Sequence, residues 1–191
     1  MARLSRNNWV DAAYDLVSID AQVHLTIDDL SERLGATKGS FYHHFTDRSD
    51  LLIALDSRRV VLLDRFVEVA NTESDPEARF RAYCVASFSS REYLNLEGFL
   101  ERERVEFRDV DKAMADADTA AETWQLEAVK ALGYHFEDAP RYLRVLKAAA
   151  MGMVFFMMHE GRTFTLEERV EFANTLVDLA MAGARSADEL A

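Results

Sequence analysis

Residues 25–55 read LTIDDLSERLGATKGSFYHHFTDRSDLLIAL, and this stretch decides the fold of the N-terminal part of the chain. Thr26 offers a side-chain oxygen that can cap the start of a helix, and Gly35 provides a residue at which that helix can end. Thr37 follows as the cap of a second helix, which is predicted over residues 38–45. Two short helices joined by so short a turn predict a helix-turn-helix motif.

The predicted second helix carries side chains that suit contact with DNA. In a helix-turn-helix, this helix enters the major groove and presents its N-terminal residues to the base edges. Thr37 and Ser40 can donate hydroxyl protons to phosphate oxygens, and Lys38 and His43 can reach a base edge or a phosphate. Gly39 has no side chain, so the backbone can approach the duplex closely. The segment therefore predicts a DNA-binding surface.

The run GATKGSFYHHFTDRSDLL at residues 35–52 resembles the signature of the TetR family of bacterial transcriptional regulators. Residues 9–13 and 25–30 fit the first two helices of that family. The resemblance implies an N-terminal helix-turn-helix domain and a helical C-terminal domain that binds a ligand and dimerises. It also implies a homodimer that binds a palindromic double-stranded DNA operator, usually as a repressor, and releases it when a small-molecule effector fills the C-terminal domain.

The resemblance further implies roles for individual residues. The family's phosphate contacts fall on Thr37, Ser40, Tyr42, His44 and Arg48, its base contacts on Lys38, Gly39 and His43, and its contacts from the second helix on Thr26 and Ile27. Two positions depart from the family pattern. Ala21 stands where a glycine usually joins the first two helices, and Asp28 stands where some relatives place a basic side chain. Asp28 must therefore avoid phosphate or accept a hydrogen bond from a cytosine amine.

Helix signals continue through the rest of the chain, where caps, prolines and glycines mark the ends. Helices are predicted from Pro76 to about Ser90, over residues 93–107, from Asp109 or Asp111 to Leu132, over residues 141–159, and from Leu166 to Gly183. No strand-like alternation of useful length interrupts them. The predicted fold is all-α with about nine helices, divided into a DNA-binding domain over residues 1–46 and an effector-binding and dimerisation domain over residues 47–191.

An apolar run at residues 148–158 points to dimerisation. The run is eleven residues long, whereas a helix that spans a bilayer needs about 20, so no membrane anchor is expected. A helix that is apolar all round is typically buried on more than one side. With the apolar and small residues of the last helix, this run predicts a homodimer interface made by the last two helices of each subunit. A monomeric core is the alternative interpretation.

Large apolar side chains in the C-terminal part are candidates for the lining of a ligand cavity. They are Phe88, Tyr93, Phe99, Phe107, Met114, Trp124, Met151, Phe155 and Met158. Their number suggests a hydrophobic or aromatic effector. A plain hydrophobic core would carry the same residue types, so the cavity is a hypothesis.

The charge of the chain leaves other functions open. The formal net charge is −12, of which residues 1–60 contribute only −2. Phosphate neutralisation is usually the main term in non-specific DNA affinity, so an acidic chain favours one alternative, a protein-interaction module that has lost specific DNA binding. A helical-bundle enzyme is a second alternative, although no nucleophile-elbow motif and no glycine-rich phosphate loop supports enzyme chemistry.

We expect neither a metal nor a cofactor. The chain has a single cysteine, Cys84, and the adjacent His43 and His44 point about 100° apart on a helix. The first residues lack the apolar stretch of a secretory signal, which together with the lone cysteine predicts a cytoplasmic protein.

Overall fold

The computed structural model describes residues 4–134, 137–159 and 164–188. These residues form helices and contain no strand, which confirms the predicted all-α fold. The helices are α1 (Arg6–Ile19), α2 (Ile27–Leu34), α3 (Lys38–Tyr42), α4 (Arg48–Ala70), α5 (Pro76–Ser89), α6 (Arg91–Arg104), α7 (Arg108–Ala131), α8 (Ala139–His159) and α9 (Leu166–Asp188).

The helices form two compact units. The first contains Met1–Val61 and Arg91–Ala117, and the second contains Leu62–Ser90 and Asp118–Ala191. Helices α4 and α7 therefore each contribute to both units. The boundary expected after residue 46 divides the chain by function rather than by compactness, and it stays a prediction.

An aromatic cluster holds α3 in the first unit. Trp9 of α1 is fully buried, and its ring meets the edge of the Phe41 ring at a centroid distance of 5.3 Å. Phe41 in turn stacks on Phe45 at 5.0 Å. Because Phe41 is the buried residue of the five-residue α3, this packing fixes one side of the helix and leaves its other side outward.

The turn between α1 and α2 forms without a glycine. The Asp20 carboxylate accepts a hydrogen bond from the backbone N–H of Gln22 at 2.8 Å, and the Asp20 carbonyl accepts one from that of Val23 at 3.2 Å. Ala21 is buried, and no non-glycine residue in the described part of the chain has a positive φ. Arg102 of α6 donates to the carbonyls of Ala21 and Val23 at 2.9 and 3.1 Å, so α6 supports the turn.

Three helix ends, those of α3, α6 and α9, differ from the prediction by three residues or more. Helix α6 was predicted to run to residue 107 and ends at Arg104. Helix α3 ends at Tyr42 rather than Phe45, because the backbone N–H groups of His44 and Phe45 both donate to the Phe41 carbonyl in a tight turn. Helix α9 continues through Gly183 to Asp188, so the predicted end at Gly183 is wrong. The glycine at residue 161, predicted to end α8, lies outside the described residues.

Packing of α5 against α9 dominates the second unit. The rings of Phe88 and Phe172 meet edge to face at 5.0 Å. The buried guanidinium of Arg169 donates to the carbonyl of Ser89 at 2.9 Å, at the C-terminal end of α5. Arg81 of α5 binds the Asp178 carboxylate of α9 at 2.8 Å. These contacts join the two helices at the C-terminal end of α5 and near its middle.

In the single chain helix α8 is buried on one side, and the cover of its other side by a partner subunit stays a prediction. Val154 is buried, whereas Val145, Phe155 and Phe156 are exposed in the single chain. Counting apolar residues could not separate these two sides, because the outward side of α8 is as apolar as the inward one. No helix in the described part of the chain is long and apolar enough to cross a membrane.

Candidate nucleic-acid interface

Side-chain caps define both helices of the predicted helix-turn-helix. The Thr26 hydroxyl oxygen accepts a hydrogen bond from the Asp29 backbone N–H at 3.1 Å, which begins α2. Gly35 ends α2 in the left-handed conformation, with φ of 59°. The Thr37 hydroxyl oxygen accepts from the Ser40 backbone N–H at 3.2 Å, which begins α3. The caps and the turn predicted from the sequence are thus confirmed.

The outward side of α3 carries most of the residues predicted to contact DNA. Thr37, Lys38, Gly39 and His43 are exposed, and so is Tyr42 at 56%. Ser40 and His44 are half-buried beside them in sequence, and Thr26 and Ile27, at the start of α2, are half-buried as well. The Tyr42 ring lies outside the core, where it meets the edge of the Phe41 ring at a centroid distance of 5.3 Å.

Gly39 has no packing reason to be a glycine. A Cβ atom built at this position would meet only the Thr37 hydroxyl oxygen, at the ordinary van der Waals distance of 3.6 Å. The backbone at Gly39 also does not adopt a positive φ. Neither space nor conformation within the chain therefore requires a glycine at this position.

Arg48 occupies a different environment from the one that the sequence predicts. Its Nε donates to the Leu25 carbonyl at 3.0 Å, and its Nη1 donates to the Glu103 carboxylate of α6 at 2.6 Å. The guanidinium also lies over the Phe107 ring at 5.3 Å. Sequence reasoning missed Glu103, because a carboxylate 55 residues away in a run of charged residues carries no local signal. The phosphate contact of Arg48 stays a prediction, and these partners compete with it.

Carboxylates accompany every Lys and Arg side chain between residues 4 and 61. The pairs are Arg6 with Asp50, Arg33 with Asp15, Lys38 with Asp28, Arg48 with Glu103, Arg58 with Asp11, and Arg59 with Asp56 and Glu97. The basic character that the sequence shows in this segment is therefore largely neutralised by the fold.

Two side chains near the helix-turn-helix, those of Lys38 and Asp47, have shifted pKa values. The hydrogen bond and the charge of Asp28 raise the pKa of Lys38, so this side chain remains an ammonium ion. Hydrogen bonds from the Ser49 hydroxyl and the Asp50 backbone N–H lower the pKa of Asp47. The ionised Asp47 carboxylate accepts the Asp50 N–H at 3.0 Å and stabilises the first turn of α4.

Comparison with known proteins identifies this part of the chain. Residues 11–55 match the family model of bacterial regulatory proteins of the tetR family. This segment is similar to the DNA-binding part of the TetR family. The Tn10 transposon protein TetC of Escherichia coli is 32% identical over 79 residues, which are 39% of this chain and 36% of that protein. The match thus spans about a third of the length of that curated relative.

Solved structures extend the TetR likeness to the whole fold. A transcriptional regulator from Saccharomonospora viridis in complex with choline superposes with a TM-score of 0.75 at 17% identity, covering 91% of this chain and 95% of that one. A TetR-family regulator from Rhodococcus sp. superposes with a TM-score of 0.70 at 17% identity, covering 92% and 97%. At such low identities the likeness concerns the fold alone. The chain has the fold of TetR-family transcriptional regulators.

The residues predicted to line an effector cavity are divided between the two units of this TetR fold. Phe88, Trp124, Met151 and Phe155 lie in the second unit, and Tyr93, Phe99, Phe107 and Met114 lie in the first. Phe99 and Met114 are fully buried, whereas Phe155 is exposed, and the side chain of Met158 lies outside the described residues. Neither unit holds the whole predicted set.

An aromatic and polar cluster in the second unit was only partly predicted. The rings of Tyr83 and Trp124 lie 4.8 Å apart, and the Arg79 guanidinium lies over Trp124 at 5.5 Å. The Gln125 amide donates to the Tyr83 hydroxyl at 2.7 Å. Tyr83 sits on the inward side of α5 and could have been found from its spacing to Phe80.

Two other kinds of site, a reactive cysteine and a cluster of metal ligands, concern the Cys84 thiol and the His, Cys, Asp and Glu side chains of the described ranges. Burial raises the pKa of the Cys84 thiol to about 12, so the thiol is protonated and a weak nucleophile. Among the described residues, no group of three or more His, Cys, Asp or Glu side chains is arranged to hold a metal ion.

Proposed function

We propose that this chain is a repressor that binds a palindromic DNA operator as a homodimer and is released by a small-molecule effector. The observation that carries the proposal is the outward turn of α3, where Thr37, Lys38 and Gly39 are exposed and Gly39 has no packing role. In this role Lys38 and His43 read base edges, and the hydroxyls of Thr37 and Tyr42 donate to phosphates.

A binding measurement tests the DNA part of the proposal. A duplex is selected from a random-sequence pool, and its affinity is measured by fluorescence anisotropy at stated salt. We expect Lys38→Ala to weaken this duplex by about 1–3 kcal/mol and to relax the preference at one base position. Equal weakening on every sequence would remove Lys38 from the base-reading role, and failure to select any sequence would overturn the proposal.

The homodimer is supported by the apolar side that α8 leaves outward. Val145, Phe155 and Phe156 of α8 are exposed, and so is Leu179 of α9. An apolar surface of this kind on the last two helices fits a second copy of the chain. Light scattering should give a particle of twice the 21.7 kDa chain mass.

A charged side chain introduced on the exposed apolar surface of α8 should dissociate the proposed homodimer. We expect Val145→Glu to shift the particle toward 21.7 kDa. Val105→Glu is the matched control, because Val105 is also an exposed apolar residue but lies in the first unit. A wild-type particle of 21.7 kDa at micromolar concentration would contradict the homodimer.

The effector is proposed to be hydrophobic or aromatic, with the second unit as its site. The Tyr83 and Trp124 rings supply aromatic surface there. Choline is a useful probe because one fold neighbour is in complex with it. Melting temperatures are measured with aromatic compounds, with choline and with charged non-aromatic metabolites. A shift caused only by the last group would contradict the proposed effector class.

Release is proposed to follow from a coupling of the effector and DNA sites through a rigid helix. Such coupling is reciprocal, so an effector that lowers DNA affinity must be bound less tightly by the DNA complex. Independent affinities in a linked titration would contradict it. The acidic charge favours a second candidate, an interaction module without DNA binding, and the same selection experiment distinguishes the two.

A further inference from the structure

The ion pair of Lys38 with Asp28 lies on the surface that the proposed function gives to DNA. Lys38 is the first residue of α3, and Asp28 is the second residue of α2. The Lys38 ammonium and the Asp28 carboxylate are 2.7 Å apart. Both side chains are more than half exposed, at 61% and 65%, so the pair is open to solvent and to any ligand of α3.

Lys38 carries the one cationic charge of α3, whose sequence is KGSFY. The other Lys and Arg side chains between residues 4 and 61 have carboxylate partners of their own. No second cation of α3 is therefore available to replace Lys38. A phosphate or base that binds the Lys38 ammonium must either displace the Asp28 carboxylate or share the three N–H donors of the ammonium with it.

We propose that Asp28 is an internal competitor of DNA for the Lys38 ammonium. A carboxylate oxygen and a phosphate oxygen accept the same charge-assisted hydrogen bond from an ammonium group. A DNA complex that uses Lys38 either exchanges one such bond for another or binds an ammonium whose charge Asp28 already offsets, and in both cases the complex gains little. Asp28 thereby keeps the DNA affinity low and its salt dependence shallow. The inference rests on the proposed DNA-binding function.

The salt dependence gives the sharpest expectation. Each phosphate neutralised by a cationic side chain steepens the slope of log K against log salt concentration by about 0.9. While Asp28 holds Lys38, this contact is absent or offset. On a random-sequence duplex Lys38 has no specific base to read and its ammonium contacts a phosphate. Removing the carboxylate charge should therefore steepen the slope on such a duplex by about 0.9 and raise the affinity about three- to tenfold at low salt.

The test compares Asp28→Asn with the wild-type chain. The amide keeps the shape and a hydrogen-bond oxygen at this position of α2 but removes the charge. Asp64→Asn is the matched control, because Asp64 is an exposed carboxylate of α4 in the second unit. Binding to a labelled random-sequence duplex of about thirty base pairs is followed by anisotropy between about 50 and 200 mM salt. Thermal melts establish that the variants are folded.

We expect the tighter binding and the steeper slope for Asp28→Asn, and less than about a twofold change for Asp64→Asn. In a Lys38→Ala background, Asp28→Asn should leave the slope unchanged, because no ammonium remains to be released. Equal binding by wild type and Asp28→Asn would overturn the inference and leave the proposed function intact. An equal gain in the Lys38→Ala background would also overturn it. Absence of DNA binding by every variant at every salt concentration would overturn the proposed function and the inference together.

Discussion

Gly39 in α3 and Gly183 in α9 are both helical glycines, one in each unit, and the space around the two residues differs. A Cβ at Gly39 would meet only the Thr37 hydroxyl oxygen at 3.6 Å, whereas one at Gly183 would lie 2.5 Å from the Tyr134 hydroxyl oxygen. The fold of the second unit therefore requires a glycine at 183. The fold of the first unit does not require one at 39, which directs attention to a partner that approaches α3 from outside.

Replacing Arg48 tests whether this residue of the first unit stabilises the fold or contacts DNA. Arg48→Ala would remove the 2.6 Å ion pair of the Glu103 carboxylate, which is 7% exposed, and leave it the longer 3.5 Å contact with Arg102. We expect a loss of about 2–3 kcal/mol in the free energy of unfolding, measured by urea denaturation. Arg58→Ala is the control, since its exposed pair with Asp11 should contribute no more than about 1 kcal/mol. Unchanged stability with weaker binding to all DNA would instead support a phosphate contact.

Gly183→Ala should destabilise the second unit. The added methyl group overlaps the buried Tyr134 hydroxyl, so we expect a loss of about 1–3 kcal/mol in thermal or urea unfolding. Tyr134→Phe in the same chain removes the overlapping oxygen together with its hydrogen bond to the Ala180 carbonyl. The double variant should therefore lose less than the sum of the two single losses. Full stability of Gly183→Ala would show that α9 packs differently.

Gly39→Ala should have the opposite effect on stability. Alanine is the better helix former and finds space here, so we expect a gain of about 0.5 kcal/mol in the free energy of unfolding. DNA affinity should fall about tenfold, because the methyl group stands between the backbone and the duplex. The two measurements together separate a structural role from a binding role. Unchanged DNA affinity would remove the reason assigned to this glycine.

We expect the Cys84 thiol to have the smallest effect on the free energy of unfolding, and only at alkaline pH. Burial raises the pKa of its thiol from 9.0 to about 12, so the unfolded chain loses this proton at lower pH than the folded chain does. The contribution to stability is complete below pH 9.0 and is lost as the pH rises toward 12. Unfolding free energies from pH 8 upward should fall more steeply for wild type than for Cys84→Ala. Parallel curves would mean that the thiol is accessible to water.

The features that the sequence predicted correctly are local. Thr26, Gly35 and Thr37 act on backbone groups within a few residues, so their caps and turn could be read along the chain. The partnership of Arg48 with Glu103 could not, because the two residues are 55 positions apart. The predicted end at Gly183 was wrong because a glycine that makes room for a tyrosine looks the same in sequence as one that ends a helix.

The burial of α8, in the second unit, likewise depends on neighbours that are distant in sequence. The apolar run predicted a helix covered on more than one side, and the single chain covers only the side that includes Val154. Sequence gives the apolar character of both sides but not the neighbour that covers each. Likewise, Asp28 stood out in the sequence as an acidic departure, but only the fold places it on Lys38.

The central claim is that the exposed turn beginning at Thr37 enters a major groove. Guanine N7 lies in that groove, so protection from dimethyl sulfate on a selected duplex tests the claim most directly. We expect two protected patches about 34 Å apart, one for each copy of α3, and loss of a protected guanine in each patch with Lys38→Ala. Protection limited to adenine N3 in the minor groove, or a pattern unchanged by Lys38→Ala, would contradict it.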